Sequence, residues 1–508
     1  MRRIGSLESK PGVVPSLRLR GASCRWRRGL RVAAVLLWVV AVGPVAAGGS
    51  CSALVTSTDA SSGGYVGVGF AWSDGACQPR AAHMVYNDRV DPAGKRGGYL
   101  RWMDYRRSNA ALRHCEGNSN THPGWGYLTN HYASTATLSH NTLGTTELVF
   151  AGSHHAILRY RWRLSIGGPV DATVDWFFAT GRDAPVWSVT YDASPAGPDV
   201  VDADSRSPYG DLKWDGGAGV NVDGVGWGDW YRMTTLQSPV TMNVGWDYSV
   251  PNTVPYVREW AVGVDAEMGA VQTQTMQQHD SGYGWFYPNW GTVDADGPMP
   301  VDWNWTYQLN QYEIPFILSS KRMAWGMNYG AVGQNSYPAY GDAANLDGYP
   351  YQSYAVHMVL DEHSKSPTLA QVAQVERLQA LGIVVTTGSL RLTGPAGVGR
   401  PDTVTWNPPG YNPTYATYEF YASGNALAAT LTPAGGMVRN PVLLINGYTG
   451  GTPMVTFNAA PAVANVDYFA SVDASGQKLW LTLHRDLNAP LTLTIGAAST
   501  TIFADHFE

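Results

Sequence analysis

Charge is scarce in this chain. Only 15% of its 508 residues are Asp, Glu, Lys or Arg, against roughly 25% in an ordinary soluble protein. The charges nearly balance, 34 basic against 40 acidic for a net of −6. The marked basic cluster is confined to the first 31 residues, so a nucleic-acid partner, which needs a basic face, is not expected. Cysteine is rare as well, with four residues, too few for a fold built on disulfides. The apolar run 32–42 ends at Gly43-Pro44, short of the roughly 20 residues that span a bilayer, so no membrane span is expected in the mature chain. No metal-ligand spacing, P-loop, dinucleotide fingerprint or G-x-S-x-G elbow occurs, and no metal and no cofactor are expected. His154 and His155 are adjacent on a strand pattern and point to opposite faces, which argues against a chelating pair.

What replaces charge is turn and ring. The chain holds 57 Gly, 31 Pro, 20 Trp and 28 Tyr, a profile of strands and turns. With 44% hydrophobic residues it can build a sizeable core, and 508 residues allow two or three domains. The expected fold is all-β and mainly antiparallel. A large β-sandwich spans 48–387 and includes a linking helix at 367–381. A link at 388–413 follows, then a small immunoglobulin-like or jelly-roll sandwich over 414–497, and a tail at 498–508.

Residues 1–47 carry the signature of a signal segment. Arg25, Arg27, Arg28 and Arg31 precede the apolar run, and Val45-Ala46-Ala47 offers a small-residue cleavage site. Cys24 belongs to that segment, leaving Cys51, Cys77 and Cys115. Either Cys51–Cys77 or Cys77–Cys115 could pair.

Alternation resolves individual strands. Over 157–166, Arg159, Arg161 and Arg163 share one face, with Leu158, Tyr160, Trp162 and Leu164 on the other. After Gly167-Gly168-Pro169, the stretch 170–178 sets Asp171, Thr173 and Asp175 against Val174, Trp176 and Phe178. A loop at those three residues sets Arg161 opposite Asp175 and Tyr160 opposite Trp176. The arginines are then a charge-paired structural surface, not a track for an anionic polymer. The stretches 302–314 and 321–329 alternate rings with amides, a face suited to sugars. Ser366 and Pro367 begin a helical stretch, and Gly382 stands where a terminating residue belongs. Its apolar residues Leu369, Val372, Val375, Leu378 and Leu381 recur every three and wind around the helix, so it should touch neighbours on more than one side.

The densest polar and aromatic material lies between residues 205 and 313. Rings near turns reach solvent and stack on sugar faces. Trp227, Trp230, Trp285, Trp290 and Arg206 are the candidate substrate-binding residues. His279 and Tyr283 are the acid/base candidates for removing a sugar proton, with Arg232 to neutralise a carboxylate. Asp229, with Asp211, Asp302 and Glu313, supplies carboxylates for hydrolysis instead. A rival stretch, 83–132, carries His83, Arg89, Arg101, Arg106, Arg107, His114, His122 and His131.

The final residues, Ile502-Phe503-Ala504-Asp505-His506-Phe507-Glu508, resemble the I-F-x-D-G-F-E tail of exported gammaproteobacterial proteins, with His506 in place of Gly. The layout of the body resembles in outline secreted polysaccharide lyases and sugar-binding proteins built on a large β-sandwich followed by a small one. The resemblances imply a secreted or surface-displayed protein with a polysaccharide as partner. Its activity would be that of a lyase or glycoside hydrolase, or it would be a non-catalytic carbohydrate-binding or adhesin-like protein. If the leader is cleaved, intact-mass measurement of the exported protein should give a chain beginning near Gly48; the full 508-residue mass in the cytosol would contradict this.

Overall fold

The computed structural model describes residues 51–107, 112–117, 124–132, 135–165, 168–196, 204–214, 224–227, 234–235, 254, 256–274, 323–331 and 351–497. Residues 1–50 and 498–508, where the signal segment and the tail are expected, lie outside these. Among the described residues no helix is long and apolar enough to cross a membrane.

Two nine-stranded sheets face each other. The first runs in the order Val55–Ser62, Tyr65–Ser73, Pro79–Val85, Leu100–Arg106, Leu112–Gly117, Asp204–Trp214, Trp125–Tyr132 and Thr135–Leu138, with Met323–Ala331 also paired to Asp204–Trp214. The second runs Thr234–Thr235, Gly224–Trp227, Tyr256–Ala261, Ala266–Gln272, Tyr351–Asp361, Val186–Asp192, Pro169–Ala179, His155–Ser165 and Gly144–Ala151. Every pairing within them is antiparallel. The all-β sandwich expected from composition is the fold observed.

The core between the sheets is aromatic. Phe70 of the first sheet stacks on Phe178 of the second with centroids 4.2 Å apart, and Trp187 Nε1 donates to the Gly126 carbonyl across the gap at 3.0 Å. Such large rings need slots. A Cβ on Gly98 would lie 2.2 Å from Trp162, and one on Gly126 2.3 Å from Trp176, and both glycines have positive φ. Neither position tolerates a side chain.

The Arg-rich hairpin has the predicted faces but a different register. Asp171 lies opposite Arg163, Thr173 opposite Arg161, and Asp175 opposite Arg159. Pro169 joins the strand as its first residue, facing Ser165, a place where its missing N–H is tolerated. The turn therefore lies one residue earlier and the pairing moves by two, which keeps each side chain on its face. Arg161 reaches Glu147 on the other neighbouring strand at 2.6 Å. Arg159 departs from the surface reading. It grips the fully buried Asp175 through two bonds of 2.7 and 2.8 Å.

Residues 382–497 build two larger sheets and two small two-stranded ones. Gly382–Thr387, assigned above to the large sandwich, pairs with Leu427–Thr432 in a sheet completed by Leu491–Ala497, Pro453–Phe457 and Ala460–Pro461. The second contains Ser389–Leu390, Tyr411–Asn412, Thr417–Tyr421, Val442–Asn446, Lys478–Leu483 and Tyr468–Asp473. Thr417–Tyr421 and Val442–Asn446 run parallel. The stretch expected as a link thus contributes short strands to this unit. The core of the small sandwich continues into Ile157, Phe177, Val186 and Ala355, on the outer side of the second large sheet. His154 and His155 are consumed there. His154 Nε2 meets Asn465 Oδ1 at 2.8 Å, and His155 meets Ser471 and Thr482 at 3.0 and 2.9 Å.

Helix α1, Pro367–Gln379, touches both parts. Val372 and Val375 pack with Val271 and Val359 of the large sheet, while Leu378 packs with the small sandwich. Its start differs from the sequence reading. Ser366 has left-handed φ and ψ and makes no side-chain cap. The buried Glu267 accepts from the Thr368 N–H at 3.1 Å instead. The helix ends before Ala380, and Gly382 opens a strand.

Of the observed cystines, Cys51–Cys77 is one of the two alternatives above. Cys115 is buried in the core outside any disulfide.

Burial distinguishes the arginines. Arg159→Gln should lower unfolding free energy by about 3 kcal/mol, because Asp175 would remain buried without its cation. Arg163→Gln, on the exposed pair with Asp171, should leave the denaturant midpoint unchanged. Equal midpoints for the two variants would contradict this reading.

Candidate functional site

The residues proposed from sequence divide sharply. Asp229, Trp230, Arg232, His279, Tyr283, Trp285 and Trp290 lie outside the described residues, as do Asp302 and Glu313. Arg206 is in the strand Asp204–Trp214, paired with Thr129 and Asn328. Trp227 ends a strand of the other sheet, opposite Val257. The two are thus on separate sheets. Several rings of this stretch are buried, Tyr209, Trp214, Tyr256 and Trp260 among them.

The rival stretch yields a connected group on the outer face of the first sheet. Strand register creates it. His83, Trp102, Glu116 and Lys213 lie side by side across four strands, and Asp104 and His114 form the next row. Inward neighbours Met103 and Cys115 belong to the core, so alternation turns Trp102, Asp104, His114 and Glu116 outward. A bulge supplies one more member. His83 pairs with Trp102 but Met84 pairs with Leu100, leaving Arg101 as an extra residue that can share the outer side.

His114 is central. Its Nδ1 lies 2.5 Å from Asp104 Oδ1, and its Nε2 3.8 Å from Glu116 Oε2. In the neutral ring Nδ1 carries the proton donated to Asp104, leaving the Nε2 lone pair available. Burial is the largest influence on the imidazole and works to lower its pKa. The Asp104 hydrogen bond and the charges of Asp104 and Glu116 outweigh it, and the pKa is raised. Glu116 also attracts Lys213 at 3.3 Å and Arg101 at 3.9 Å. The side chains remain accessible, 39% for His114 and 26% for Glu116.

Rings border the charged row. Trp102 stacks on His83 at 5.9 Å and tilts against His114 at 5.4 Å. The Arg101 guanidinium lies 4.4 Å over the Tyr65 ring. His83 is a support. It is buried, its Nε2 donates to the Ala60 carbonyl at 3.1 Å, and burial lowers its pKa. Together these groups offer a held base, a second carboxylate, two cations and half-buried rings. Among the other arginines of the rival stretch, Arg89 pairs with Asp88 and Arg107 with Glu362. His131 is on the strand Trp125–Tyr132, and His122 lies outside the described residues.

No protein-family model and no curated protein matches the chain. Among solved structures, a GalM/aldose epimerase homologue from C. elegans aligns over 56% of this chain and 96% of its own, at 7% identity and a TM-score of 0.26.

The raised His114 pKa has a measurable consequence. Protonated imidazole is favoured by the fold, so its stabilisation is complete below the unfolded value of about 6.5 and is lost as pH rises through the higher folded value. In wild type minus His114→Gln, the stability difference should therefore shrink from about pH 5 to about pH 8, as followed by urea denaturation across that window. A difference that grows with pH would reverse the assignment.

Proposed function

We propose that this chain is a secreted, glycan-active protein and that the His114 group is its reaction centre. The carrying observation is the hydrogen bond between Asp104 and His114 Nδ1 on an accessible sheet face. It holds one tautomer and leaves Nε2 as a base whose pKa the neighbouring carboxylates raise. The basic and apolar signal segment and the resemblance of the tail support export.

The reading favours elimination from an acidic polysaccharide. His114 Nε2 takes the proton on the carbon next to the sugar carboxylate. That electron pair forms the new double bond as the glycosidic C–O bond at the β position breaks. The leaving oxygen receives a proton, returned by the imidazolium. Arg101 and Lys213 carry the positive charge that an acidic sugar needs, and Trp102 and Tyr65 offer ring faces. Glu116 holds these cations in the free protein and competes with the substrate carboxylate. Asp104 acts as a positioning residue through His114.

The purified mature protein should be incubated with acidic and neutral polysaccharides, and both reducing ends and unsaturated-uronate absorbance followed. Elimination predicts that the two rise together on an acidic polymer. His114→Gln should reduce turnover by roughly 10²–10⁴-fold, with circular dichroism unchanged. Reducing ends without unsaturation would favour hydrolysis by a carboxylate pair. Saturable binding without cleavage would favour the non-catalytic carbohydrate-binding reading. A wild-type rate in the His114 variant would remove this site from consideration.

A further inference from the structure

A second cationic place lies beneath helix α1. A cavity of about 450 Å³ opens between that helix, the strand Tyr351–Asp361, the turn at 181–184 and the residues 437–441 of the small sandwich. Its lining has five cations, Arg80, Arg182, Lys365, Arg377 and Arg439, against two carboxylates, Asp183 and Asp361. The imbalance persists when the pairs are followed. Arg80 is held by Asp361 at 2.5 Å and Asp74 at 3.4 Å. Lys365 is engaged by Asp361 and Glu362 at 3.3 and 2.7 Å, and Arg439 approaches Asp486 at 3.5 Å.

Arg182 and Arg377 differ from these three. Among the described residues neither has a carboxylate within salt-bridge distance. Arg182 donates Nη1 to the Tyr415 carbonyl at 2.8 Å and Nη2 to the Ala416 carbonyl, with its guanidinium near the Phe177 ring. Arg377 makes a long bond, 3.4 Å, to the Met437 carbonyl. Carbonyl groups orient a guanidinium but do not neutralise it, and a partly buried cation without a counter-charge is unfavourable unless an anion is supplied. Burial pushes the Arg182 pKa below its ordinary value, which is the signature of that deficit.

We infer that this cavity binds a compact oxyanion, the carboxylate of a small acidic sugar or a free inorganic oxyanion, through Arg182 and Arg377. Either source suits the site, because Arg182, fixed by its two carbonyls, supplies positive charge and the loosely held Arg377 supplies N–H donors that carboxylate and phosphate accept alike. The volume admits a monosaccharide and excludes a long polymer from the interior. The anion would sit where α1, the large sandwich and the small sandwich meet. Occupancy would then tie the three together, since a ligand bound to the folded state stabilises it. The inference does not rest on the His114 assignment, which concerns the outer face of the first sheet.

The test uses the mature protein at fixed ionic strength, with inorganic phosphate, glucuronate and neutral glucose as probes. Calorimetric titration and thermal unfolding are read together. Saturable binding of phosphate or glucuronate with a raised Tm, and none for glucose, is the expected result. Phosphate alone would identify a free oxyanion, and glucuronate in preference to phosphate would identify an acidic sugar. Arg182 also holds two carbonyls of the small sandwich, so Arg182→Gln could unfold that contact. Arg377→Gln is the decisive variant. It should keep the anion-free Tm and weaken binding by about tenfold or more, with partial recovery in Arg377→Lys. His114→Gln should bind as wild type does, which separates this cavity from the sheet-face site. No saturable response to either anion, or an undiminished affinity in Arg377→Gln, overturns the proposal.

Discussion

From Val174 onward the strand Pro169–Ala179 is buried on both faces, and most of the architecture follows from that constraint. Inward, Val174, Trp176 and Phe178 belong to the core of the large sandwich. Outward, Phe177 packs with the small sandwich, and its ring lies 5.0 Å from that of Trp480. Asp175 points outward too, and there a buried carboxylate must be fully satisfied. Arg159 grips it from the neighbouring strand, and the Tyr415 hydroxyl donates to it from the small sandwich at 2.7 Å. A single carboxylate therefore joins hairpin register to the docking of the second unit.

That docking also distributes function. It covers much of the outer face of the second sheet around Ile157, Phe177, Val186 and Ala355. The first sheet keeps an outer face with accessible polar side chains, and there the strand register gathers Asp104, His114, Glu116 and Lys213. The bulge at Arg101 adds a cation that regular alternation would have turned away. The cavity beneath α1 is a by-product of the same junction. A helix in contact with two cores, through Val375 on one side and Leu378 on the other, leaves a crevice at its flank. Two of its arginines, Arg182 and Arg377, are oriented by main-chain carbonyls instead of carboxylates.

Buried carboxylates play a comparable part at the helix start. Glu267, distant in sequence, meets His363 Nδ1 at 2.7 Å and Arg258 at 3.4 Å while capping Thr368. Ser366 is the residue type that sequence rules favour for capping, yet its left-handed backbone turns its hydroxyl to no such use. Preference at a position describes what a residue does in isolation. A carboxylate delivered by a neighbouring strand overrides it when burial leaves the helix N–H groups no water.

The amino-acid sequence by itself determined what is periodic and local. Alternation placed Arg159, Arg161 and Arg163 on the face opposite Tyr160 and Trp162, and a composition rich in turn residues and rings gave the all-β fold. The repeat of apolar residues along 369–381 gave the many-sided contacts of α1. In the candidate site, His83, Arg101 and His114 were legible only as members of the stretch 83–132, while Asp104 and Glu116 had no local mark. Only tertiary structure decided the two-residue shift of the hairpin, the choice of Cys77 as partner of Cys51, the Glu267 cap and the assembly of the His114 row. The physical reason is common to all of them. A side chain's face follows from its own backbone, but its neighbour follows from which strand pairs with which and in what register, and that is set by burial across the whole chain.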